Sequence, residues 1–181
     1  ISSSRSTRRP MVAFRIASGS ADPASTNQTL DSSFSSKDLF LDLAYAHYHP
    51  EGIEGFDLYL GKVKNPFYKP GKTQLIWDGD LNPEGVAFTY ARSLSDVDAF
   101  YINGGGFWVD ETSGGVDTSL FGIQSYLKHT FADGSYLLGG ASYFDYGNIA
   151  GRGDLKSTWS SSSSFFGNTT RAGGTEFDSD F

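Results

Sequence analysis

Three histidines and a scatter of carboxylates are the residues whose chemistry could be put to use, because this 181-residue chain contains no cysteine. His47 and His49 would share one face of a strand and offer half of a zinc site, with His129 as the third imidazole. The same spacing also suits an interfacial band beside Tyr45 and Tyr48, where amphipathic rings are at home. Asp78-Gly79-Asp80-Leu81-Asn82 opens like a calcium loop, with oxygen donors at alternate positions. Pro83 stands where such a loop needs glycine and Thr89 where it needs a bidentate glutamate, which excludes an EF-hand. A looser calcium site would use Asp78, Asp80 and Glu84; the competing reading is a loop held by Asx turns and aromatic packing. Gly71-Lys72-Thr73 ends like a phosphate loop, but Pro66 occupies the place of its first glycine. No glycine elbow surrounds a serine and there is no cysteine nucleophile, so the sequence shows no catalytic constellation and no motif calling for a cofactor; an enzyme is not expected.

The elements that would position these groups read as strands. Alternation of period two runs through Pro10–Ala17, where Val12, Phe14 and Ile16 oppose Ala13, Arg15 and Ala17. It returns in Asp38–Tyr48, with Leu39, Leu41, Leu43 and Tyr45 on one parity and Asp42, Ala44 and Ala46 on the other. Phe56, Leu58 and Leu60 then oppose Asp57, Tyr59 and Gly61, and Val86, Phe88 and Tyr90 oppose Ala87, Thr89 and Ala91. A fifth strand over Val97–Val109 carries Gly104-Gly105-Gly106, where a bulge is expected. Ser119–Phe131 and Tyr136–Tyr146 follow, joined by Asp133-Gly134, a pair suited to a type I′ hairpin turn. Glu176–Phe181 could begin an eighth strand.

Between these strands the connections alternate in length. Residues 18–37 form a long polar loop, 49–55 a short turn, 63–85 a long loop, 93–96 a short turn, and 147–175 a Gly/Ser-rich stretch read as a mobile loop. The loop over 63–85 is the richest in aromatic and breaker residues. Pro66, Pro70 and Pro83 bar it from helix and central strand, while Phe67, Tyr68, Leu75, Ile76, Trp77 and Leu81 require it to fold against something. Short turns at one end and long loops at the other are the rhythm of an outer-membrane barrel. Alternation alone also fits a β-sandwich.

Composition narrows the classes. Aromatics reach 15% with 22 glycines, which favours β architecture, and no run approaches the ~18 apolar residues of a spanning helix. Any membrane role must therefore use strands. A net charge of −7 offers no basic stripe to neutralise phosphates, so a nucleic-acid partner is not expected. Arg5, Arg8 and Arg9 lie in a Ser-rich start, residues 1–9, read as a disordered or non-native polar tail without an apolar signal core.

The runs Gly61-Lys62-Val63-Lys64-Asn65-Pro66-Phe67 and Trp77-Asp78-Gly79-Asp80-Leu81-Asn82-Pro83-Glu84-Gly85 resemble the Putative porin family of bacterial outer-membrane β-barrels. Phe14-Arg15-Ile16-Ala17-Ser18-Gly19-Ser20-Ala21-Asp22-Pro23 and Ser25-Thr26-Asn27-Gln28-Thr29-Leu30-Asp31 are similar to that family's first strand and loop. The resemblance implies an antiparallel up-and-down transmembrane barrel that forms an aqueous pore. Small residues such as Ala13, Ala17, Ala44, Ala46 and Ala91 would leave voids in a tight eight-stranded barrel, so the seven or eight strands are read as an incomplete portion of a larger one, with 10–146 as its strands.

On that reading Arg15, Asp42, Asp57, Gln124 and Lys128 are candidates to line the lumen. The central loop could fold inward with Lys69, Lys72, Asp78, Asp80 and Glu84, where opposed charges would screen solutes. It could equally cap the outer rim. Expected partners are outer-membrane lipid and lipopolysaccharide and small hydrophilic solutes; a homo-oligomer stays open. One rival is a soluble sandwich that stacks sugars on Trp77 and Trp108; another is a non-conducting structural barrel that binds through its long loops.

Overall fold

The computed structural model describes residues 10–18, 39–111, 113–153, 169–171 and 174–180. The expected tail 1–9, nearly all of the loop 18–37 and residues 154–168 of the Gly/Ser-rich stretch lie outside the described residues. Seven strands form one antiparallel sheet in chain order: β1 (Met11–Ser18), β2 (Leu39–Tyr48), β3 (Phe56–Lys62), β4 (Glu84–Ser93), β5 (Asp98–Asp110), β6 (Thr118–Thr130) and β7 (Tyr136–Gly147). Each pairs only with its sequence neighbours, so the sheet is up-and-down and open, with β1 and β7 at its edges. Glu176–Phe177 does not add an eighth strand to it. As β9 it pairs with β8 (Thr170–Arg171) in a small separate hairpin.

The two faces of the sheet differ as the alternation requires. Val12, Phe14, Ile16 and Leu39 are 63%, 71%, 67% and 74% exposed, and Leu41, Leu60, Phe121 and Leu137 are exposed on the same side. On the opposite side Val63, Phe67, Trp77, Ala87, Phe107 and Leu120 form a buried cluster, with Tyr45, Tyr59, Leu81, Val109, Phe144 and Tyr146 packed around it. The core is therefore made between one face of the sheet and the loop joining β3 to β4. It is not made between two sheets.

Three local expectations are corrected. In β2 the parity of Leu39 and Leu41 does not continue to Leu43 and Tyr45: Arg15 pairs with Leu43 and Ile16 with Leu41, leaving Asp42 as an inserted residue. The bulge turns Leu43 and Tyr45 to the buried side and Ala44 and Ala46 to the apolar outer side, while Asp42 is held toward Arg15. In β5 the glycine triplet keeps register through Gly104↔Ile123, Gly105↔Gly122 and Gly106↔Phe121, and the irregularity falls later, between Trp108 and Asp110. The β6–β7 turn is not type I′, because Gly134 alone has positive φ (84°) and Asp133 does not share it. Gly134 N donates to Phe131 O at 2.9 Å and Phe131 N to Ser135 O at 2.8 Å, a three-residue connection closed by a left-handed glycine. Asp133 Oδ1 accepts from the Ser135 hydroxyl at 2.6 Å and its N–H at 2.9 Å, which hold this carboxyl below the usual carboxylate range.

The first residues of the Gly/Ser-rich stretch make packing and hydrogen-bond contacts. Ile149 is buried, Asn148 O accepts from Thr118 Oγ1 at 3.2 Å, and Asp180 Oδ1 accepts from the N–H groups of Ile149 and Ala150 at 2.8 Å each.

Candidate functional site

The loop over 63–83 leaves and rejoins the sheet at one neck. Val63 N donates to Pro83 O at 2.8 Å, closing it, and Lys62 Nζ reaches Asn82 O at 3.1 Å. Inside it the backbone is satisfied locally, as breaker residues demand. Asn65 Oδ1 accepts from Phe67 N at 3.0 Å, Asp78 Oδ1 from Asp80 N at 2.8 Å, and Pro70–Lys72 makes a single 3-10 turn. Lys64 Nζ donates to Gly79 O at 3.2 Å and Lys69 Nζ to Asp78 O at 3.5 Å.

Its aromatic residues decide where the loop goes. Phe67 lies against Phe144 (ring centroids 4.9 Å), Trp77 (5.8 Å) and Phe107 (6.2 Å), and Trp77 also meets Phe144 at 5.0 Å. Phe67 can sit this low because β6 carries Gly122 beneath it: a Cβ there would lie 2.5 Å from Phe67 Cζ. One residue on, Tyr68 N donates to Gln124 Oε1 at 2.7 Å and Gln124 Nε2 to Tyr68 O at 3.1 Å. The loop thus runs along the sheet face to mid-strand and does not stop at the rim.

Gln124 is the centre of a polar row across the sheet, Asp57↔Thr89↔Asn103↔Gln124↔Ser142 by register. Asn103 Nδ2 donates to Gln124 Oε1 at 3.4 Å and Gln124 Nε2 to Ser142 Oγ at 3.0 Å. Below it Tyr101 and Tyr126 stack at 4.7 Å and Tyr68 joins them at 5.1 Å. A hydrogen bond with Tyr136, then desolvation, pushes the Tyr68 phenol above its ordinary value, so it stays neutral at physiological pH. Replacing Gln124 by leucine should strand the Tyr68 N–H and C=O at a cost of about 1–3 kcal/mol. The expected readout is faster proteolysis within the loop of the folded protein, with Gln124→Glu, which keeps an acceptor, intermediate.

The charged candidates fall into separate groups. Arg15 Nε pairs with Asp42, whose Oδ1 also accepts from the buried Asn82 Nδ2 at 2.7 Å. Asp57 Oδ1 meets both His47 Nε2 at 2.7 Å and His49 Nδ1 at 3.1 Å. Lys128 Nζ stands 4.7 Å from the centroid of the Tyr136 ring. Lys69, Lys72, Asp78 and Asp80 belong to the loop, but Glu84 pairs in register with Trp108 and shares the parity of Val86, on the outward face. Among the described residues no three of His, Cys, Asp and Glu are gathered in a way that could hold a metal ion. The looser calcium site of Asp78, Asp80 and Glu84 is therefore not assembled, and Asp78 instead forms the Asx turn. His129 pairs with Asp98 Oδ1 at 2.7 Å, away from His47 and His49.

Trp77 is buried under the loop and Trp108 is exposed on the other face, so the two indoles of the sugar-stacking alternative do not share a surface. Asn103, Ser142, Tyr101 and Tyr126 carry no motif. Tyr126 shares the parity of Gln124 within one strand, whereas Asn103, Tyr101 and Ser142 share its face only by register, a signal available once pairing is known.

A family model described as Putative porin matches residues 9–177. No curated protein and no solved structure gives a significant match.

Proposed function

The chain belongs to the Putative porin family, and from that premise we propose that it takes part in an outer-membrane pore through which small hydrophilic solutes or ions diffuse passively. The observation that carries this reading is the asymmetry of the sheet: one face is apolar and bare, while the other holds the folded-in loop and the polar row. Exposed leucine, isoleucine and phenylalanine side chains along successive strands are costly in water and at home against acyl chains. A soluble sandwich would need that face covered, and among the described residues nothing covers Val12, Phe14, Ile16 or Leu39.

On this reading outer-membrane lipid and lipopolysaccharide are the neighbours of the outward face, and the short turns at 49–55, 94–97 and 131–135 are periplasmic. Arg15, Asp42, Asp57, Gln124 and Lys128 line the lumen, and the loop carries Lys69, Lys72, Asp78 and Asp80 into it as a constriction. Ions passing the loop meet both signs of fixed charge, which screens solutes by charge as well as by size. Protein purified from outer membranes and added to planar bilayers should give discrete steps of ohmic current. Detergent-free solubility with no conductance would count against the pore and for a soluble binding module.

A further inference from the structure

Near the short-turn end of the loop-bearing face, one carboxylate oxygen is shared by two imidazoles. Asp57 Oδ1 lies 2.7 Å from His47 Nε2 and 3.1 Å from His49 Nδ1, and the three side chains are 28%, 25% and 18% exposed. None is sealed from solvent, so each can exchange protons with it. The arrangement is held from below and behind. Cross-strand pairing sets His47 opposite Tyr59, and their rings stack at 4.6 Å and 7°, with Tyr59 in turn against Tyr45 at 5.9 Å. The groups facing the triad can be named element by element. β1 brings Met11, opposite His47; β3 brings Tyr59; β4 brings Thr89, opposite Asp57; β2 itself brings Tyr45; and the adjoining turn carries Glu51 and Glu54, both exposed. Lys128 stands on the same face three strands away on β6. Among the described residues no lysine or arginine is paired with Asp57, so its charge is balanced locally only by protons on the two imidazoles.

We propose that Asp57, His47 and His49 form a proton-responsive charge filter at the short-turn mouth of the pore, favouring cations when the imidazoles are neutral and losing that preference when they are protonated. This rests on the pore reading above. With both imidazoles neutral the cluster carries one negative charge; with both protonated it carries one positive charge. The protein need not move for the local field to change sign. Histidine is the side chain whose unperturbed charge change lies between about pH 5 and pH 8, which sets the two conditions to compare. A fixed charge at a pore mouth raises the local concentration of its counter-ion and so biases which ion passes.

The test is the reversal potential of the purified protein in planar bilayers under a potassium chloride gradient, measured at pH 8 and pH 5. Wild type should show a cation-to-anion permeability ratio that falls on acidification. His47→Gln with His49→Gln should conduct but hold its pH 8 ratio at pH 5, and Asp57→Asn should lower the ratio at pH 8. Where the double variant fails to insert, His49→Gln alone should show a reduced pH response. A wild-type ratio that does not move with pH, or a double variant that responds as wild type does, would overturn the filter and leave the pore standing. A wild type without conductance at either pH would overturn both.

Discussion

Phe67→Ala is expected to free the loop over 63–83 from the sheet and to raise single-channel conductance, while the strands themselves stay assembled. Phe67 is 5% exposed and its ring meets those of Trp77, Phe107 and Phe144 together. Truncating a buried phenylalanine costs about 3–5 kcal/mol, from lost transfer energy and the cavity left behind. That is enough to loosen the middle of a segment whose other side-chain anchors to the strands are the pair of hydrogen bonds between Gln124 and Tyr68, worth about 1–3 kcal/mol, the Trp77–Phe144 contact within the same aromatic cluster, and the Asn82–Asp42 hydrogen bond beside the neck. The strands lose little, because their ladders do not pass through Phe67 and the apolar outward face is untouched. A second route to the same state is Gly122→Val. Any Cβ at 122 would lie 2.5 Å from Phe67 Cζ and 2.9 Å from Phe144 Cδ1, so the ring must leave its seat. Both variants should show larger conductance steps and new protease cleavage between residues 63 and 83. If conductance and cleavage match wild type in both, the loop does not narrow the passage.

How much of this was legible beforehand depends on which signal each residue carried. The seven strands could be read because in β1, β3, β4 and β6 the apolar residues of the alternation all fall on one face, the outward one, and each observed strand agrees with its expected range to within a few residues. The bulge at Asp42 left no mark, since Leu39, Leu41 and Leu43 are the same residue type on what looks like one parity, and only pairing with β1 reveals that Leu43 turns the other way. The direction of the central loop was equally hidden. Its aromatic residues announce that it packs, but the place they pack is a hole made by Gly122, a residue 55 positions beyond Phe67 in the chain. Among the candidate residues, parity alone puts Gln124 on the face with Lys128, yet its role as the anchor for Tyr68 needed the fold. Asp57 and the two histidines carry no joint signal in the sequence; the turn between β2 and β3 brings them to one oxygen.

Ile123→Arg should be among the most damaging single substitutions on the outward face, and its size reports what lies against that face. Ile123 sits sixth of thirteen residues in β6, in the cross-strand row Leu58, Phe88, Gly104, Ile123 and Tyr143. A tilted strand of about 9–11 residues spans the hydrocarbon, so a mid-strand position lies near its middle. Arginine there costs about 2–4 kcal/mol in an outer-membrane barrel, but only about 0–1 kcal/mol near the interface. Phe131, on the short turn after β6, is the matched control: Phe131→Arg should fold nearly as well as wild type. The measurement is urea-dependent folding into phosphatidylcholine vesicles, followed by tryptophan fluorescence. Water offers an arginine no such penalty, and a protein partner packed on the row would penalise the substitution without any dependence on acyl-chain length. A cost that grows with bilayer thickness for Ile123→Arg and not for Phe131→Arg identifies lipid as the neighbour. Equal folding of both variants would mean that the apolar face never enters a bilayer.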